Sequence, residues 1–468
     1  METFDLVVIG SGPGGYVGAI RAAQLGFTVA IIEKGEIGGT CLNRGCMPTK
    51  ALLHSAELYK EAKDNFATMG VECEGLAYNA AAMYARKNEV VQQLNSGVEQ
   101  LLKANKIAIY NGTGRVVAVG KVEVSTGEET RLLATKHILL ATGSKPAMPP
   151  IPGSNLPGVF TSDEMLANAT IHPRLAIIGA GVIGVEFASL YAALGAQVHL
   201  IEAAPRALPA MGREVGQSVA MALKKDGVAL YTGAMVQGIK QQNGALQCSF
   251  TQKEEEKTVD ADAILVATGR KPVLENVVAE ELALQTQNGF VQVDAHFCTN
   301  IAGVYAVGDI VAGMQLAHLA SAQAEVAVEH MAGKTPSKNL SLVPACIYAR
   351  PEVAVVGLTE EAAAEQGIAI TANKFTLAAN GRTLIAGAGR SYIKLIAQQQ
   401  TGKLLGAELI CPRATDLINP LTLAIANGLT TAQLGEIIYP HPTFGEAIGE
   451  AAAIFGDGAI HAAPRPKR

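Results

Sequence analysis

Phe4–Glu33, FDLVVIGSGPGGYVGAIRAAQLGFTVAIIE, decides how the rest of the chain is read. An apolar strand at 4–9 runs into a glycine turn, a helix follows at 16–25, and a second strand at 29–32 ends in Glu33. Gly10, Gly12 and Gly15 have the spacing G-x-G-x-x-G, which allows a tight turn and lets a pyrophosphate approach the N-terminus of a helix. Glu33 is placed to accept hydrogen bonds from ribose hydroxyls. A glycine pattern alone is weak evidence; strand, turn, helix, strand and acid together are strong.

The same unit returns at 175–202, LAIIGAGVIGVEFASLYAALGAQVHLIE. Gly10 and Gly179, Gly26 and Gly195, and Glu33 and Glu202 are each 169 residues apart. Two dinucleotide sites in one chain explain that register. Glu202 would pair with a free 2′-hydroxyl and repel a 2′-phosphate, and the nearest arginine, Arg206, lies four residues on, so NAD is favoured over NADP.

A second echo, ILLATGSKP at 138–146 and ILVATGRKP at 264–272, reads in each copy as a buried strand running into a glycine turn. Pro146, Pro149, Pro150, Pro152 and Pro157 make the stretch between the units a plausible linker. Val304–Val307 is another apolar strand, ending at Gly308-Asp309, where the aspartate reads either as a cofactor-hydroxyl ligand or as an ordinary turn residue. A helix is expected over 317–331. Beyond Gly333, strands at 354–357, 372–377 and 392–396, with helices at 360–366 and 416–427, suggest a mostly antiparallel α+β cap. The fold class is therefore α/β: two Rossmann-like dinucleotide-binding domains, one inserted in the other, followed by a C-terminal α+β domain. The expected divisions are 1–146, 147–275, 276–345 and 346–468.

Length and composition agree. A chain of 468 residues exceeds one core, and 49 glycines with 17% charged residues suit tight turns and buried strands. The net charge of −5 gives no reason to expect nucleic acid or an acidic membrane as partner. The N-terminus lacks a basic signal region, and Leu175–Ala196, though apolar, carries Glu186 and three glycines, unlike a membrane span. Seven dispersed cysteines suit a reducing compartment, so a cytoplasmic protein is expected. The basic end, Arg465–Arg468, reads as a solvated tail.

Two of the cysteines stand out. GGTCLNRGCMPTK at 38–50 sets Cys41 and Cys46 just before an expected helix at 49–60, with Pro48 in its first turn. A thiol at a helix N-terminus is pushed towards thiolate, and Lys50 adds a nearby positive charge. Cys41 is expected in a distorted turn allowed by Gly38-Gly39. A redox-active dithiol competes with two structural cysteines or half a zinc site. No second pair at ligand spacing exists for zinc, and no metal is expected. His441 has Glu446 five residues on, across Pro442. A carboxylate on one ring nitrogen fixes the tautomer and leaves the other as a base, which thiol–disulfide exchange requires; a structural histidine is the other reading.

Taken together, these segments resemble the pyridine nucleotide-disulfide oxidoreductases and, among them, the dihydrolipoamide dehydrogenase branch, over essentially the whole chain. The redox segment is similar to GGTCLNxGCxPxK, HPTFGE at 441–446 to HPTxxE, and GVIGVE at 181–186 and ARPEVAVVGLTE at 349–360 also match. The resemblance implies that the first unit binds FAD through Gly10, Gly12, Gly15, Ile32, Glu33, Gly39, Thr40 and Lys50. Gly114, Thr142, Gly143, Ser144, Asp309, Gln315, Leu316, Ala317 and His318 match further FAD positions. It implies an NAD site at Gly179, Ala180, Gly181, Val182, Ile183, Gly184, Val185, Glu186, Glu202, Val236 and Gly269. Lys50 would lie beside the flavin, paired with Glu186. Cys46 would face the flavin and Cys41 would exchange with substrate. His441 and Glu446 would act at the site of a second copy, so a homodimer is implied, the C-terminal domain being its dimerisation domain.

The implied reaction is oxidation of protein-bound dihydrolipoamide by NAD+. The lipoyl groups would arrive on partner proteins, an E2 component or H-protein, since no lipoyl-type domain precedes Met1. Glutathione reductase, the main rival in the family, is disfavoured by Glu202, and enzymes with a second thiol pair at the C-terminus by the absence of cysteine after Cys411. A non-catalytic flavoprotein would have no use for the dithiol, Lys50 and His441 together. Arg44 departs from the pattern, a bulky cation where a small apolar residue is common, with a consequence for thiolate pKa or substrate access.

Overall fold

The computed structural model describes residues 1–127, 129–242 and 244–463; the basic tail at 465–468 lies outside them. In the first unit β1 (Glu2–Ile9) pairs in parallel with β2 (Val29–Glu33), Ile9 opposite Ile32. The sheet continues through β3 (Ala108–Asn111) beyond β2. On the other side of β1 it runs through β6 (Glu129–Leu140), β5 (Lys121–Thr126) and β4 (Thr113–Ala118). Strand Val304–Ala306 also pairs with β6 in parallel, so a segment far along the chain completes this sheet. Leu6–Ile9 are buried throughout and do not alternate, as expected for a parallel strand covered on both faces. Helix α1 (Pro13–Gln24) begins with proline, whose missing N–H is harmless at that position, and packs beside helix Ala317–Met331.

The second unit repeats this plan. A five-stranded parallel sheet takes its centre from Arg174–Ile178, flanked by Gln197–Glu202 and Ala263–Val266. Helix Val182–Ala193 crosses between the first two, and a three-stranded antiparallel sheet at 234–261 lies alongside. The ends of the two ATG echoes pair with each other, Arg270 opposite Pro146 and Pro272 opposite Ser144, forming a two-stranded antiparallel link. The sequence predicts only that the chain leaves a sheet at each of these points.

The C-terminal domain is an antiparallel sheet of strands 345–347, 353–357, 404–410, 392–398 and 370–376, in that order. Helices Ala414–Ala426 and Glu446–Ala453 close a core of their own over it, around Ile393, Leu395, Leu409 and Leu421. Expected strands and helices here fall within a few residues of those observed.

The dithiol segment differs from expectation. Cys41 lies in a short helix, α2 (Gly39–Arg44), not a distorted turn, and Cys46 opens α3 (Cys46–Asn65), three residues before the expected start. The first-turn N–H groups of a helix have no intrahelical partner, so Pro48 is accommodated at the third position and does not delay the start. Gly45 separates the helices at φ −143°, ψ −110°; a Cβ there would stand 2.9 Å from the Thr40 carbonyl oxygen, so the two helices close directly on one another.

Candidate active site

The turns of the two units match bond for bond. Gly10 N donates to Ile32 O at 2.8 Å, and Gly179 N to Ile201 O at 2.7 Å. Gly10 and Gly179 have φ of +98° and +103°, a region that disfavours side chains. A Cβ on Gly15 would sit 1.9 Å from Gly10 O, and one on Gly184 at 1.9 Å from Gly179 O. Glu33 accepts from Ser11 N (2.8 Å) and Gly35 N (2.8 Å); Glu202 accepts from Ala180 N (2.6 Å) and Ala204 N (2.7 Å). Each carboxylate is thus held as an acceptor at the rim of its turn.

Both turns open into one cavity of about 1430 Å³. A Cβ built on Gly12 or Gly181 meets nothing within 4 Å, so each helix N-terminus faces free space where a diphosphate would fit. The cavity is large for one ligand and suits two dinucleotides. Most expected cofactor residues line it, including Ile32, Glu33, Thr40, Lys50, Gly114, Thr142, Asp309, His318, Gly181, Glu186, Glu202, Val236 and Gly269. Gly15, Ala180, Gly184 and Val185 are not in its wall; the two glycines are there because a neighbouring carbonyl leaves no room for a side chain.

Cys41 and Cys46 line the same cavity, both as free thiols. The hydrogen bond from the Cys41 thiol, assisted by the Lys50 charge, brings Cys46 from an ordinary value near 9 down to about 7, against the opposing effects of burial and Glu186. Cys41 moves up, through that same hydrogen bond, then burial, then repulsion by the Cys46 charge. The pair is therefore asymmetric: Cys46 ionises first and Cys41 keeps its proton.

Lys50 Nζ lies 2.9 Å from each carboxylate oxygen of Glu186, which is 3% exposed and comes from the helix of the second unit. Tyr348, from the C-terminal domain, donates its backbone N–H to Glu186 Oε1 at 3.1 Å and sets its ring 4.9 Å from Lys50 Nζ. The first unit, the second unit and the C-terminal domain thus meet at this pair. Sequence reasoning missed Tyr348, since nothing in its local pattern marks it. It also missed Ser11 and Arg270, whose guanidinium donates to both Ser144 Oγ and Ser144 O at 2.8 Å. Ser144 Oγ in turn donates to Asp309, which anchors the Gly308-Asp309 turn in the wall.

His441 and Glu446 lie outside the cavity wall. His441 Nδ1 is 2.8 Å from Glu446 Oε2, while Glu446 Oε1 accepts from Asn380 Nδ2 at 3.0 Å and Thr443 N at 3.3 Å. The carboxylate is fixed by its neighbours, and the imidazole, 76% exposed, is presented to the outside. Within one chain this base and the dithiol are not brought together.

Comparison with known proteins gives this geometry a family. A model described as pyridine nucleotide-disulphide oxidoreductase matches residues 4–324, and that family's dimerisation domain matches residues 343–452. The chain belongs to the pyridine nucleotide-disulphide oxidoreductase family. FAD and NAD(H) are the cofactors of its dihydrolipoyl dehydrogenases, and the free space at both helix N-termini and the two fixed carboxylates fit them. The dimerisation domain supports a homodimer. A dihydrolipoyl dehydrogenase of Bacillus subtilis is 40% identical, over 98% of this chain and 99% of its own. The mitochondrial dihydrolipoyl dehydrogenase of Pisum sativum is 37% identical, over 98% and 92%. The HOCl-induced flavoprotein disulfide reductase RclA of Escherichia coli superimposes with a TM-score of 0.86 at 28% identity, covering 97% of this chain and 100% of that one. LpdA from Mycobacterium tuberculosis, at 23% identity and a TM-score of 0.90 over the same shares, shares the fold. Among the described residues, no helix is long and apolar enough to cross a membrane.

Proposed function

We propose that this member of the family is an FAD- and NAD+-dependent dihydrolipoyl dehydrogenase, acting as a cytoplasmic homodimer on lipoyl groups carried by E2 or H-protein partners. The observation that carries the reading is the sharing of one cavity by the Cys41–Cys46 pair, the Lys50–Glu186 pair and both glycine-rich units. Residues 1–146 and 276–345 would hold FAD, 147–275 NAD, and 346–468 the dimer contact. FAD, when bound, supplies a two-electron carrier between the disulfide and the nicotinamide.

The chain's own residues account for the rest. A substrate thiol gives its proton to His441 of the partner subunit, whose tautomer Glu446 fixes. The thiolate attacks Cys41 Sγ, the Cys41–Cys46 bond breaks, and Cys46 leaves as a thiolate favoured by Lys50 and the N-terminus of α3. The second substrate thiol then displaces Cys41, closing the substrate disulfide, and its proton ends on Cys41. Glu202, with each oxygen already accepting a backbone N–H, would take a ribose hydroxyl and repel a 2′-phosphate, which supports NAD over NADP.

The purified holoenzyme is expected to turn over dihydrolipoamide with NAD+ and to leave oxidised glutathione with NADPH untouched. The reverse pattern would sink the assignment.

A further inference from the structure

Arg44, the residue that departs from the family pattern, has no role in the chemistry above. It ends α2, one turn after Thr40, so the two share a helix face, and both line the cavity. The charges that act most on the Cys46 thiol are those of Lys50 and Glu186. Its Nη2 lies 3.4 Å from Glu36 Oε2, long for a charged hydrogen bond, with side chains 47% and 67% exposed. Such a pair is weak, and it leaves most of the guanidinium donors free. A Cβ on Gly35 would stand 3.6 Å from that nitrogen and 3.5 Å from Glu33 Oε1, so Arg44 borders the ribose-binding carboxylate. Asp163, on helix Ser162–Ala167 packed beside α2, feels both Arg270 and Arg44.

The charges at this end need a reason. Glu33, Glu36 and Asp163 all line the cavity where a dinucleotide's diphosphate must enter, against the Gly12 turn onto which Gly39 at the start of α2 packs. Other cations in the wall are engaged: Lys50 with Glu186, Lys145 with Glu275 at 2.7 Å, Arg270 with Ser144. Among the described lysines and arginines of the wall, Arg44 and Lys34 remain to balance the anion.

We propose that Arg44 is a binding residue for the diphosphate of the FAD held by the first unit, its guanidinium shared between Glu36 and a phosphate oxygen. The fork geometry of guanidinium suits that double duty, and lysine would fill it only in part. The proposal rests on FAD occupying the first unit. The test follows release of FAD from the diluted holoenzyme by flavin fluorescence, in wild type, Arg44→Val and Arg44→Lys, at several salt concentrations. Arg44→Val is expected to release FAD about ten- to a hundredfold faster, with a shallower dependence on salt. Arg44→Lys should fall between it and wild type. A wild-type release rate in Arg44→Val, or an Arg44→Lys rate equal to that of Arg44→Val, would overturn the role of the guanidinium. A wild-type protein that cannot hold flavin would instead defeat the FAD reading itself.

Discussion

In the first glycine-rich unit Ser11 donates its hydroxyl to Glu33 Oε2 at 2.7 Å, and Gly38 N donates back to Ser11 O and Oγ, both at 3.2 Å. The second unit has Ala180 at that position, with no side-chain polar atom to match Ser11; its loop is tied by Leu208 N to Ala180 O at 2.9 Å and by Arg206 Nη2 to Pro209 O and Met211 O, both at 3.0 Å. The first loop is also packed down: a Cβ on Gly39 would lie 2.6 Å from Gly12 Cα. From that anchored point the chain runs straight into α2, α3 and the dithiol, whereas the second loop runs into helix Arg213–Lys225 and carries no chemistry. One scaffold therefore serves two ends. The tied copy suits a resident cofactor and fixes the thiols beside it; the plainer copy suits a cofactor that comes and goes.

The largest effect should come from the paired glycines. Gly15→Ala and Gly184→Ala each drive a Cβ to 1.9 Å from a backbone carbonyl oxygen, an overpacking worth about 1–3 kcal/mol or more. Gly15→Ala is expected to yield protein without flavin and with little dithiol activity. Gly184→Ala should keep its flavin yet lose reduction by NADH. Equal loss of flavin in both would break the division of labour between the units.

Lys50→Met comes next. It strands the buried Glu186 carboxylate, at a cost of about 3–5 kcal/mol, read as a lower midpoint in urea. It also removes a positive charge that favours the Cys46 thiolate. In the reduced wild type, alkylation of Cys46 should rise with pH through about 7 and level off above it, since the thiolate is the nucleophile. In Lys50→Met that rise should move to higher pH; an unmoved profile would remove Lys50 from the account of the thiols. The smallest effect is Ser11→Ala, which makes the first turn like the second. It should cost about 1 kcal/mol and speed flavin release several-fold, with NAD+ affinity unchanged.

Much of this was legible in the sequence because the turn chemistry is local. Gly10, Glu33 and their counterparts act through backbone bonds set by the spacing of a few residues, so the 169-residue repeat carried over to individual hydrogen bonds. What was not legible is what arises from packing between domains. The Ser144–Pro146 and Arg270–Pro272 pairing, and Tyr348 against Lys50 and Glu186, join residues more than a hundred positions apart with no periodic signal. The start of α3 was misplaced because Pro48 marks a first turn without marking which of its positions it fills. His441 is a surface imidazole in one chain, and the place proposed for it in the chemistry would depend on a second copy.

The central claim is that Cys41 and Cys46, alone among the seven cysteines, exchange two electrons with substrate. It is tested most directly by blocking free thiols in the oxidised holoenzyme, reducing it anaerobically with dihydrolipoamide, and alkylating the new thiols with a second reagent for peptide mapping. The second label is expected on Cys41 and Cys46 and on no other cysteine. Label at Cys73, Cys298 or Cys346 in their place, or no new thiol after reduction, would contradict the account.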